Sequence, residues 1–276
     1  MFAGRKSPCA SVQLHRISRC SSLDGDVSPF FLLVGAGLAA GVMNAVAGGG
    51  TFVTFPALVF AGVPSVAANA TSTVALFPGA FASAWAYRED FRAFEGMAPR
   101  KLLPVSLAGG VVGAVLLLLT PQATFDVVIP WLLLLGTLTF AFGGRAGAAL
   151  RRRFRIGPGV LASAQFLLSV YGGYFGGAVG LMMMAVWSLF GVTDVRAMVA
   201  AKVLLVGSLN TVAVVLFIAA GKVFWPQAVI TGVAAIVGGY VGARVGRRLA
   251  PGYVRLVINI VNVAMTAVFF WRLFAR

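Results

Sequence analysis

The sequence predicts an all-α polytopic membrane protein of two homologous halves. Each half contributes long transmembrane helices and one short broken or re-entrant helix, with the halves arranged as inverted repeats. Three observations predict this: the composition, the lengths of the apolar runs, and a repeat at constant offset. Of 276 residues, 60% are hydrophobic and 11% charged, whereas a soluble domain has roughly 45–50% apolar and about 25% charged residues. A soluble fold of this length cannot hide so much apolar surface. The net charge of +15 would suggest nucleic acid in a soluble protein. Here the basic residues fall between apolar runs, where the positive-inside rule gives them topological work, and no basic stripe with interleaved aromatics is present.

Residues 1–28 form a polar N-terminal tail, expected to be disordered, which holds Cys9, Cys20 and His15. Three such ligands do not make a metal site, and the tail lacks the basic start, long apolar core and cleavage site of a secretory signal. A spanning helix needs about 20 apolar residues. Full-length candidates are 29–47, 67–87, 102–119, 127–143, 159–176, 196–220, 228–246 and 254–271, eight in all. Two shorter pieces, 51–63 and 181–190, each follow a glycine cluster, "AGGGTF" and "YGGYFGGAVG". At about 1.5 Å per residue they reach at most roughly 20 Å, short of a bilayer core of about 30 Å.

Sliding the chain by 129 residues aligns Gly48 with Gly177, Gly62-Val63 with Gly191-Val192, Val66 with Val195, Ala68 with Ala197 and Val74 with Val203. "GGVVGA" at 109–114 falls on "GGYVGA" at 238–243 without a gap. The halves are then 29–143 and 157–276, joined by a basic cytoplasmic linker, 144–156. If the short pieces cross, the basic loops at 88–101, 144–156 and 247–255 share the cytoplasmic side and both termini lie outside. If they do not, the 247–255 loop lies outside. A short tail translocates more easily than a multi-arginine loop, which favours the inverted arrangement.

"AGLAAGVMNAVAGGGTFVTFPALVFAGVPSVAANATSTV" and the second-half segment from "GVTDVRAMVAAKVLLVGSLN" to "RRLAPGYVR" resemble the two signatures of the TauE/SafE sulfite-exporter family, also called the toluene-sulfonate uptake permeases. The resemblance covers most of residues 30–272. It implies a secondary transporter of small sulfur oxyanions or organosulfur anions in a bacterial inner membrane.

The residues argue for a site independently. Paired short, glycine-broken segments are the best sequence pointer to a transporter's binding site, because irregular backbone survives in a bilayer only beside protein or a watery cavity. Gly48, Gly49 and Gly50 let the chain reverse and expose several N–H groups, and a helix starting near Thr51 aims its positive end at the same point, an arrangement that suits an anion. The plainer reading of these glycines is close helix packing. Gly176, Gly177 and Gly180 are the counterparts in the second half. Asn69, Thr71, Ser72 and Thr73 concentrate polar groups at the start of the next span, where Thr73 aligns with Lys202. A charged lysine at a helix centre costs about 2.5–3.5 kcal/mol on insertion scales and normally faces a cavity or a partner. Lys202 therefore reads as a cation for the substrate, or as a group that snorkels or pairs with Asp194. Asn44 and Asn210 complete the candidate set. Gly109/Gly113 and Gly238/Gly242 read as helix contacts.

Sharper motifs fail. "VGAGLAAG" at 34–41 lacks the acidic residue and βαβ context of a dinucleotide site, and the seven carboxylates lie in the tail, in loops or at span edges. Neither catalysis nor a cofactor is expected. The expected partners are a small anion and the lipid bilayer, not nucleic acid, with a homo-oligomer left open. The alternatives are a carrier or channel for another solute, such as a metal cation, or a non-transporting assembly or chaperone subunit.

Overall fold

The structure, a computed structural model, describes residues 29–46, 49–86, 99–151, 158–189, 195–246 and 251–275. The tail and Gly48 lie outside these. The described residues form ten helices and no strand: α1 (Pro29–Val46), α2 (Thr51–Phe60), α3 (Ser65–Ala86), α4 (Pro99–Leu119), α5 (Gln122–Arg151), α6 (Pro158–Tyr174), α7 (Val179–Leu189), α8 (Val195–Ala219), α9 (Trp225–Gly246) and α10 (Pro251–Phe274). Four of these contain stretches long and apolar enough to cross a membrane: Lys101–Leu119, Gln122–Thr139, Ala197–Ala219 and Trp225–Gly242. Each of the eight segments expected as full spans holds a helix of 17 to 30 residues, and four of these helices are long and apolar enough to cross a membrane. In α1 and α10 the apolar stretches are shorter, Pro29–Asn44 and Asn259–Phe274, and α3 opens on polar residues.

The helix limits follow local chemistry. Gly49 takes φ +96°, a left-handed conformation that glycine adopts at no steric cost, and α2 starts two residues later. The end of α2 is closed when the Val63 N–H donates to Leu58 O and Gly62, at φ +87°, turns the chain out. The piece expected over 51–63 therefore ends at Phe60. At ten and eleven residues, α2 and α7 are each about half a bilayer core in length. Helix α5 runs on through Arg151, into the segment assigned to the linker. Alanine, leucine and arginine all favour helix, so "RAGAALR" continues α5 instead of ending it.

Lipid is as apolar as leucine, so helices associate in it through close packing and not through water exclusion. The two most extensive contacts, α1 with α9 and α4 with α6, are lined by glycine. A Cβ on Gly41 would stand 2.0 Å from Ala235 O, and one on Gly113 2.1 Å from Val170 O. Gly37 faces Thr231 and Ala234, Gly41 faces Gly239, and Gly242 faces Val42, so α1 and α9 run in the same direction. Thr71 accepts a hydrogen bond from the Phe224 N–H and Gly232 approaches Ala75, so α3 runs that way too. Since α1 and α3 run the same way, α2 returns between them. A Cβ on Gly238 would stand 2.1 Å from Leu38 O, and one on Gly109 2.7 Å from Phe166 O, which is the packing role expected of their spacings.

The packing scheme is shared by the two sets of five helices. Helix α1 on α9 corresponds to α6 on α4, α3 on α9 to α8 on α4, and α2 on α10 to α7 on α5. Where α5 meets α10, the hydroxyls of Thr137 and Thr266 lie 3.1 Å apart. These positions differ by 129, the offset of the sequence repeat. Trp131 and Phe270 also meet there, with ring centroids 5.2 Å apart, so α5 and α10 are antiparallel.

Most of helix α2 is buried in protein, while Phe60 at its end is exposed. Phe52 and Phe55 are inaccessible. The Phe52 ring lies against Gly136, and Phe55 stacks on Phe269 with centroids 5.6 Å apart.

Candidate substrate-binding site

The chain breaks before α2 and before α7 face a common cavity of about 150 Å³. Asn44, Gly49 and Thr51 line it from the first break, and Gly176, Ala178, Val179, Gly180 and Leu181 from the second. Helix α3 adds Thr73, Leu76 and Gly79. Helix α8 adds Lys202, Val203, Val206, Gly207 and Asn210. These lining positions on α8 recur at three to four residues, the spacing of one helix face.

Lys202 is the one charged side chain among the described residues lining the cavity. Its stem rests on Gly180, where a Cβ would come within 2.8 Å of Lys202 Cδ. Asp194, the partner considered from sequence, lies outside the described residues, as does the side chain of Arg196. Among the described residues no cluster of three His, Cys, Asp or Glu side chains could hold a metal ion.

The first break is arranged differently from the run of free amides the sequence suggests. The Gly50 N–H donates to Asn44 Oδ1 at 2.8 Å, so α1 holds the start of α2. The Phe52 and Val53 N–H groups turn back to the carbonyls of Gly49 and Gly50, both at 3.0 Å. Gly50 itself packs on Ala40 and Asn44 and does not line the cavity.

The polar opening of α3 serves mainly as internal wiring. Asn69 is buried a turn before Thr73, and its Nδ2 donates to Tyr174 O at 2.9 Å, tying α3 to the end of α6. Thr71 holds the Phe224 amide, and the hydroxyls of Ser72 and Thr54 are hydrogen-bonded to each other with their oxygens 2.5 Å apart. Gly177 lies beside the Phe175 ring, behind the lining residues. Asn69, Thr71, Ser72 and Gly177 therefore surround the site without facing it. The buried Thr54–Ser72 pair links α2 to α3. Ser72→Ala is expected to lower stability by about 1 kcal/mol, with a Thr54–Ser72 coupling near 0.6 kcal/mol in a double-mutant cycle. Thermal unfolding in detergent measures both, and strict additivity would show that the pair is not coupled.

Sequence reasoning missed the apolar wall of Leu76, Val203 and Val206, since valine and leucine carry no signal in an apolar chain. It also missed Gln165. That fully buried amide donates to Ser106 Oγ at 2.9 Å and accepts from Trp187 Nε1 at 3.2 Å, joining α4, α6 and α7. A lone glutamine inside an apolar run was the available signal.

Broken helices meeting at a partly polar cavity within a helical membrane protein are the arrangement of a secondary transporter's binding site. The chain belongs to the TauE/SafE family: the model described as "Sulfite exporter TauE/SafE" matches residues 33–269. It is 30% identical to "Probable membrane transporter protein YfcA" of Escherichia coli (strain K12), over 87% of this chain and 90% of that one. It is 28% identical to "Probable membrane transporter protein ORF9" of a Sinorhizobium species, over 85% of this chain and 89% of the relative. A Haemophilus influenzae relative, "Probable membrane transporter protein", is also 28% identical, over 89% of this chain and 96% of its own length. No solved structure matches. The chain is thus a multi-pass member of a membrane-transporter family, and its relatives are named as transporters, not as enzymes.

Proposed function

We propose that this protein is a secondary carrier of small anions, most specifically sulfite, organosulfonates or related sulfur compounds, working by alternating access in a bacterial inner membrane. The carrying observation is the cavity between the two breaks, with Lys202 as its charged lining residue. Helix starts bring partial positive charge to the same space, and the substrate-binding set is Asn44, Gly49, Thr51, Thr73, Gly176, Gly180, Lys202 and Asn210. Gly48 is assigned to the first break by its sequence neighbours. Gly50, Asn69, Thr71, Ser72 and Gly177 act on the site through these residues.

On this reading the halves are 29–143 and 157–276, eight long helices span the bilayer, and the halves are inverted. Support comes from the threonine pair. Equivalent residues meeting on antiparallel helices imply a two-fold axis across those helices, hence in the membrane plane. Rocking of one half against the other about that axis would open the cavity to each side in turn.

The test is flux in proteoliposomes with sulfite, methanesulfonate, sulfate, acetate and a divalent metal cation. Saturable flux of the sulfur monoanions above the other solutes is expected. Flux of the metal alone would replace this reading with a cation carrier, and a folded protein that moves no solute would favour an assembly subunit.

A further inference from the structure

The two breaks differ in the donors they leave free. At the first, Asn44 occupies the Gly50 amide. At the second, the N–H groups of Gly177, Ala178, Val179 and Gly180 donate to no described residue, and the last three belong to residues that line the cavity. The chain there is left-handed at Gly176 (φ +79°) and at Ala178 (φ +59°), then turns right-handed into α7. A left-handed residue followed by a right-handed one directs consecutive N–H groups to a common point. Alanine rarely adopts this conformation, and strain of that kind concentrates at functional sites.

A second, independent observation points to the same spot. Lys202 is largely withdrawn from solvent, lines the cavity and has no carboxylate partner among the described residues. Its Cγ and Cδ lie over Gly180, and the ammonium is two bonds beyond Cδ. Consecutive free amides with a cation beside them form a seat for an oxyanion. At the first break the donors are fewer and uncharged, namely the N–H and hydroxyl of Thr51 and the Asn44 Nδ2, with Thr73 already bonded to Asn69 O at 2.9 Å. No carboxylate is among the described residues lining the cavity, so an ammonium on the solute would find no counter-charge among them.

We propose that the solute's anionic head seats at the second break, on the amides of Ala178, Val179 and Gly180 beside Lys202, while the first break contacts its uncharged end. This rests on the anion-carrier reading. It favours small monoanionic oxyanions with a neutral tail over zwitterions, so 2-hydroxyethanesulfonate is preferred to 2-aminoethanesulfonate.

The experiment uses methanesulfonate, which is little more than a head group. In a Cys9→Ser/Cys20→Ser background, Leu181→Cys and Thr51→Cys are alkylated with iodoacetamide in native membranes, with and without methanesulfonate. The expected result is at least fivefold slowing at position 181 and less than twofold at 51; the reverse order, or equal slowing, overturns the assignment. Transport adds a second readout: Gly180→Val raises the KM for methanesulfonate about tenfold or more, the scale of a lost charged hydrogen bond, and Thr51→Val less than threefold. Equal effects of the two variants overturn the seat. If the parent carries methanesulfonate in a Lys202-dependent way and position 181 is unprotected, the seat alone fails. If the parent neither binds nor carries any anion, both readings fail.

Discussion

Lys202→Met is expected to reduce anion flux at least tenfold while leaving the protein folded and somewhat more stable. The two effects have one origin. A lysine cation inside a helical membrane bundle costs about 2.5–3.5 kcal/mol on insertion scales, and among the described residues no carboxylate offsets that cost. Methionine fills the same space over Gly180 without the charge, so the unfolding temperature rises or holds. Transport falls because hydrogen bonds to charged groups contribute about 1.5–3 kcal/mol, which is roughly 10- to 150-fold. Lys202→Arg keeps the charge, but its broad guanidinium crowds the same glycine, so intermediate activity is expected. A lysine that merely snorkels would give neither signature. Initial rates in proteoliposomes, set beside melting curves in detergent, separate the two cases.

Gly41→Leu is expected to abolish assembly of the folded protein. The leucine Cβ would fall 2.0 Å from Ala235 O and 2.6 Å from Gly239 N, both backbone atoms. No rotamer relieves a backbone clash, so α1 and α9 must separate along their whole contact. Ordinary overpacking costs about 1–3 kcal/mol, and this substitution exceeds it because the displaced contact is the most extensive in the fold. Gly35→Leu, six residues earlier on the same helix, meets nothing within 4 Å and serves as the control. Size-exclusion profiles in detergent should show a monodisperse peak for Gly35→Leu and loss of that peak for Gly41→Leu. Matching profiles would contradict the backbone-contact account.

The fold was legible because membrane helices announce themselves by length and apolarity, and because glycine breaks appeared twice at one offset. The start of α2 at Thr51 follows directly from the triple glycine. The extent of α5 was not legible, since the arginines of "RAGAALR" look like a loop while its alanines and leucine sustain a helix. In the site, residue type was readable and direction was not. Asn69 through Thr73 read as one polar cluster, yet only Thr73 of that run lines the cavity, because each residue turns about 100° around the helix. The role of Asn44 depended on a contact six residues away across a turn, which no local pattern encodes. At the second break nothing in the sequence marks Ala178 as left-handed, yet the amides from Gly177 to Gly180 around it donate to no described residue.

The central claim is that the cavity between the breaks carries an anion across the membrane by exchanging its access from side to side. Counterflow tests it most directly. Proteoliposomes loaded with unlabelled methanesulfonate are diluted into a trace of the labelled compound. The account predicts a transient overshoot of label inside the vesicles, abolished by Lys202→Met. Label that equilibrates without overshoot, or an overshoot that Lys202→Met leaves intact, would contradict it.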